Sequence, residues 1–141
     1  MPLRPTANTL IQMSGNYLLD TSVIIDLFAA NTTVVARLEQ VESTFIPSIA
    51  VGELYYGAQR SSKKAANLEQ ISQFVNAGIV LPCDSDTGHW YGIVKNQLRK
   101  AGHPIPENDI WIAAIAFQYD LTVATRDKHF VVVDGLQVEI W

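Results

Sequence analysis

Glu107-Asn-Asp-Ile-Trp-Ile-Ala-Ala-Ile-Ala-Phe-Gln-Tyr-Asp-Leu-Thr-Val-Ala-Thr-Arg-Asp127 sets two kinds of element end to end. Glu107–Tyr119 reads as an apolar helix, and Leu121-Thr-Val-Ala as a short strand behind it. Each element carries one acid. Asp109 falls in the first turn of the helix, where the helix dipole favours negative charge, and Asp127 falls just past the strand.

The same alternation extends outward through the chain. Asn16–Leu19 reads as a buried strand, followed by a helix to Phe28 that Thr21 or Ser22 can cap and a helix from Asn31 to about Gln40. Phe45-Ile46-Pro47 is the next strand, and Ser48 can cap a helix to about Gln59. Residues 62–76 place Leu68, Ile71 and Val75 at helical spacing, Gly78 ends that helix, and Ile79-Val-Leu follows as a strand. Asp84 can cap a long helix from about Ser85 to Lys100, and Gly102-His-Pro-Ile-Pro cannot continue it. Val131-Val-Val and Val138-Glu-Ile are late strand candidates. Strands alternating with helices predict an α/β fold with a mostly parallel sheet and helices on both faces. Residues 1–13 read as a loose leader, with Met13 a possible second start, and 14–141 as a single domain.

Composition narrows the function classes. The 141 residues are 48% hydrophobic and 17% charged, which is globular composition. No apolar run reaches the roughly 18 residues of a membrane span, and the first residues lack a signal-peptide core. Cys83 is the only cysteine, which fits a reducing cytosol. The formal charge of −4 argues against a generic nucleic-acid coat. Basic residues nonetheless cluster as Arg60, Lys63 and Lys64, as Lys95, Arg99 and Lys100, and as Arg126 with Lys128. Such patches either hold a phosphate backbone or are solvated helix faces.

Four carboxylates sit inside or beside apolar segments: Asp20, Glu53, Asp109 and Asp127. Each has an ordinary reading alone. Asp20 could be a helix N-cap, Glu53 a solvated helix residue, Asp109 a favourable first-turn acid and Asp127 a turn aspartate. Brought together, they would repel one another unless a cation lay among them. Oxygen-only ligation points to magnesium or manganese, and such sites commonly handle phosphates. Thr21, Ser22 and Thr125 stand beside the acids and could orient them, or serve only as caps. His89, His103 and His129 lack metal-ligand spacing and have no cysteine partners, which argues against zinc. The sequence carries no Gly-x-Ser-x-Gly turn, phosphate loop or Gly-x-Gly-x-x-Gly motif.

Leu18-Leu-Asp-Thr-Ser-Val-Ile-Ile, Pro47-Ser-Ile-Ala-Val-Gly-Glu-Leu-Tyr-Tyr-Gly-Ala, Gly102-His-Pro-Ile-Pro-Glu-Asn-Asp-Ile-Trp-Ile-Ala-Ala-Ile-Ala and Leu121-Thr-Val-Ala-Thr-Arg-Asp-Lys-His-Phe together resemble a PIN domain of the VapC type, the ribonuclease toxin of a prokaryotic toxin–antitoxin pair. The resemblance spans roughly residues 16–141. It implies a PIN-like three-layer fold and an acidic quartet at Asp20, Glu53, Asp109 and Asp127, with Asp20 and Asp109 the main ligands of one or two Mg2+ or Mn2+ ions. It further implies RNA hydrolysis to 5′-phosphate and 3′-hydroxyl ends, a small antitoxin partner and a homodimer. Leu54, Tyr55, Leu68 and Ile71 are candidates for the dimer surface, or for the core. Two other readings remain open. A receiver-like signalling or binding module with an acidic magnesium pocket would need an acidic pair at the first strand, and a haloacid-dehalogenase-like phosphatase needs two aspartates one residue apart. Asp20-Thr-Ser supplies one acid.

Overall fold

A computed structural model describes residues 15–141, so the leader expected over 1–13 lies outside the described residues. The elements in chain order are β1 (Asn16–Leu19), α1 (Thr21–Phe28), α2 (Thr32–Gln40), β2 (Ser43–Pro47), α3 (Ser48–Gln59), α4 (Lys64–Ala77), β3 (Val80–Leu81), α5 (Ser85–Ala101), α6 (Glu107–Tyr119), β4 (Thr122–Thr125), a 3-10 turn (Lys128–Val132) and β5 (Val138–Ile140). The strands form one sheet in the order β3-β2-β1-β4-β5, and every pairing is parallel.

Successive strand residues face opposite sides of a sheet. Leu18 and Val123 therefore bury against Val94 and Leu98 of α5 and Ile112 and Ile115 of α6. Tyr17, Leu19 and Ala124 face the other way, onto Val23 and Ile24 of α1, Val34 of α2, Leu54 of α3 and Ile71 of α4. The result is the three-layer α/β arrangement expected from the sequence. Each fully buried aliphatic side chain in these layers contributes about 1.5–3 kcal/mol of transfer free energy.

Local chemistry sets the helix ends. Asn31 accepts the Val34 N–H at 3.1 Å. Asp84 and Thr87 close a capping box at the start of α5, each side chain accepting the other's backbone N–H at 3.1 and 3.0 Å. Gly102 ends α5 with φ of 70°, a left-handed conformation that glycine adopts without a Cβ penalty. Pro104 and Pro106 then keep the chain out of helix until the Pro106 carbonyl accepts the Asp109 N–H and α6 begins.

Three local expectations are corrected. Val131-Val-Val is not a strand: Val131 and Val132 belong to the 3-10 turn and are exposed, and Val133 is buried beyond it. The Asp127 side chain accepts the His129 N–H and winds this segment, and β5 alone takes the open edge of β4. Thr21 and Ser22 are not caps. Helix α1 starts at Thr21 with Asp20 in the cap position, and both hydroxyls bond elsewhere. Ser48 is likewise the first residue of α3, behind Pro47.

Candidate active site

In an open parallel sheet, ligands bind beyond the carboxyl ends of the strands, where the strand order reverses. Here the chain leaves β1 toward β2 on one side and later returns to β4 on the other. The reversal therefore lies between β1 and β4. Asp20 follows β1, and its N–H donates to the Ala124 carbonyl at 2.9 Å. Asp127 follows β4, Asp109 lies in the first turn of α6, and Glu53 lies within α3.

Asp20 is 5% exposed and occupies the N-cap position of α1, yet its carboxylate caps nothing. Ser22 Oγ and Thr125 Oγ1 both donate to its Oδ2, at 2.7 and 2.8 Å. Each hydroxyl also accepts a backbone N–H from the turn after β4: Ser22 from Arg126 at 3.0 Å and Thr125 from Asp127 at 2.9 Å. The two hydroxyls thus tie the β1 carboxylate to the β4 turn. With two donors on Oδ2, the other oxygen is the one left for a ligand. Thr21 Oγ1 donates to Glu53 Oε1 at 2.8 Å, which joins α3 to the same cluster.

Burial, and then the neighbouring Asp20 charge, push the Asp109 carboxyl up to about 6, against the opposing hydrogen bond from His129. Asp127 adds a smaller push in the same direction. Asp20, Asp109 and Asp127 therefore share one electrostatic environment, with Glu53 attached through Thr21. A carboxyl raised by burial and like charge is stabilised by an added cation, and the oxygen donors suit a hard divalent ion. The residues present fit that group.

His129, which lacks metal-ligand spacing in the sequence, lies in the cluster. Its Nδ1 lies 3.1 Å from Asp109 Oδ2 and 3.0 Å from Asp127 Oδ2. Its position two residues past Asp127 was visible, but its contact with Asp109 spans 20 residues and follows only from the fold. Other expectations need adjusting. Arg126 pairs with Asp26 at 2.9 Å and donates to the Trp141 carbonyl, and Lys95 pairs with Glu107, so neither is an idle phosphate ligand. Leu54 and Ile71, offered as dimer surface, are buried in the core, with Tyr55 and Leu68 packed against it.

Comparison with known proteins identifies the family. Residues 17–136 match the profile of the PIN domain family. The chain is 32% identical over 128 residues to ribonuclease VapC2 of Haemophilus influenzae, covering 89% of this chain and 97% of that protein. It is 35% identical over 120 residues to toxin FitB of Neisseria gonorrhoeae, covering 78% and 86%. A solved structure of VapBC2 from Rickettsia felis, bound to a DNA fragment from its promoter, superposes with a TM-score of 0.82 at 25% identity over 89% of this chain and 98% of that one.

Proposed function

The chain belongs to the PIN domain family and is of the VapC type, and from that premise we propose that it is a divalent-metal-dependent RNA endonuclease acting as the toxin of a toxin–antitoxin pair. The observation that carries the reading is the buried Asp20 carboxylate, coupled electrostatically to Asp109 and fixed to the β4 turn by two hydroxyls. Buried acids held this rigidly around a shared charge are costly in a protein that has no cation to place among them.

In this reading Asp20 and Asp109 would hold one or two Mg2+ or Mn2+ ions, and Glu53 and Asp127 would complete the acidic set. A bound cation supplies Lewis acidity toward the scissile phosphate and lowers the pKa of water. The chain's own groups do the rest. Asp127 and Glu53 would hold a second ion or orient the attacking water, whose proton passes to solvent. A P–O bond forms to the water oxygen, the bond to the 3′ oxygen breaks, and a proton ends on that oxygen, giving 5′-phosphate and 3′-hydroxyl ends. Ser22 and Thr125 act on Asp20 by positioning, and Thr21 acts on Glu53 in the same way. The receiver-like alternative has no observation in its favour, since Glu53, Asp109 and Asp127 all lie off the strands. A small antitoxin, a homodimer and a cytoplasmic location belong to the same proposal. Among the described residues no single helix is long and apolar enough to cross a membrane.

The test is RNA cleavage by purified protein with Mg2+ or Mn2+. EDTA should abolish it. Asp20→Asn and Asp109→Asn keep side-chain shape and remove a ligand charge, so each should lower the rate by about 100-fold or more with the circular dichroism spectrum retained. Wild-type expression alone should arrest growth, and co-expression of a cognate antitoxin should restore it. Asn variants that cut RNA at the wild-type rate would end the proposal.

A further inference from the structure

His129 has no assigned part in the acidic quartet, yet it is held in place there by more than chance proximity. Its backbone N–H donates to Asp127 Oδ1 at 2.9 Å, and the next residue, Phe130, is buried in the core. The turn that carries the imidazole is therefore anchored at both ends of its first step. The ring is 49% exposed and stands on the solvent side of Asp109, which is 14% exposed. Nδ1 and one carboxylate oxygen each of Asp109 and Asp127 all lie within 4.8 Å of one another.

The two nitrogen–oxygen separations suit donors to one ion. In a six-coordinate site with bonds of about 2.0–2.1 Å, neighbouring donor atoms are about 2.9 Å apart. The two N···O separations here are 3.0 and 3.1 Å. In the metal-free chain Nδ1 lies within hydrogen-bond distance of both carboxylates, and a metal would be bound by its lone pair. Resting on the metal-dependent reading above, we propose that His129 is a nitrogen ligand of this centre and that its imidazole biases the site toward manganese over magnesium. Manganese and magnesium both accept carboxylate oxygen, but magnesium gives up water for a nitrogen donor more reluctantly than manganese does. A purely carboxylate site would discriminate between the two ions less.

The test titrates Mn2+ into the full chain and follows the free-ion signal by electron paramagnetic resonance, with Mg2+ as competitor. Pulsed measurements read 14N coupling to bound Mn2+. The wild type should show an imidazole 14N coupling. His129→Ala should lose it and bind Mn2+ about tenfold more weakly, with Mg2+ affinity changed less than about twofold. His129→Gln, which keeps a polar side chain on the turn, should behave like the alanine variant. The proposal is overturned if wild-type Mn2+ shows no nitrogen coupling, or if His129→Ala binds Mn2+ as tightly or more tightly, which would make the imidazole a displaced countercharge. RNA cleavage by wild type and Asp20→Asn, run in parallel, separates the two readings. Metal-dependent cleavage lost in Asp20→Asn, without nitrogen coupling, sinks this inference and leaves the nuclease. No Mn2+ binding and no cleavage by the wild type sinks both.

Discussion

Thr125 is fully buried and takes one partner from each side of the site, donating to Asp20 and accepting from the Asp127 N–H. Thr125→Val keeps the volume and deletes both bonds. It should cost about 1–3 kcal/mol by urea unfolding and weaken Mn2+ binding about 10- to 100-fold by calorimetry. A normal affinity in the valine variant would show that Asp20 needs no positioning. Asp109 makes a second prediction through its raised carboxyl pKa. Below about pH 4 both folded and unfolded chains hold this proton. As pH climbs from about 4 through about 6 the unfolded chain has lost it while the folded chain retains it, so metal-free stability falls. Above that window the full penalty stands, at most about 3 kcal/mol. In EDTA at pH 7.5, Asp109→Asn should therefore be more stable than wild type by about 1–3 kcal/mol, and the gap should close near pH 4. An equal gap at both pH values would refute the assignment.

At the level of elements, two aspartates in helix-cap positions do different things. Asp84 caps α5 through Thr87 and also accepts from Gln118 of α6 at 2.9 Å, whereas Asp20 spends its carboxylate on the hydroxyls of Ser22 in α1 and Thr125 in β4. Asp84→Ala should cost about 1–2 kcal/mol and leave RNA cleavage per folded molecule unchanged, read by thermal melts beside cleavage assays. Sequence patterns gave no such distinction, because an aspartate before a helix looks the same in both settings. Where local chemistry decides, the reading was sharp. Prolines before and an apolar run within put α6 at Glu107–Tyr119, the bounds observed. Where neighbours decide, it failed. Val131-Val-Val has strand composition, but a side-chain bond from Asp127 winds it into a turn. Leu54 and Ile71 looked equally suited to a dimer face or a core, and only the packing of α1 and α3 on α4 assigns them to the core. The acids were legible because charge in apolar segments needs an explanation within one short stretch. His129 was not, since its reason for being there is a residue on another helix.

Across the whole molecule, Trp141 fastens β5 to the site side of the sheet. Its N–H donates to the Thr125 carbonyl at 2.9 Å, its own carbonyl accepts from Arg126 at 2.8 Å, and its ring lies 5.4 Å from that of Tyr17. Arg37 pairs with Glu139 beside it. Trp141→Ala should destabilise the protein by about 3 kcal/mol and lower Tm by about 10 °C in differential scanning fluorimetry. The strand order carries a further consequence. Asp20 and Thr125 are bonded neighbours separated by 105 positions along the chain. A ribosome adding about 5–20 residues per second reaches the second roughly 5 to 20 s after the first. Through that interval β1 lacks the strand on its site side, and Asp20 lacks one of its two hydroxyls. On the proposed reading each nascent chain would therefore stay inert until its own β4 emerges, and a chain abandoned before β4 would never complete the site.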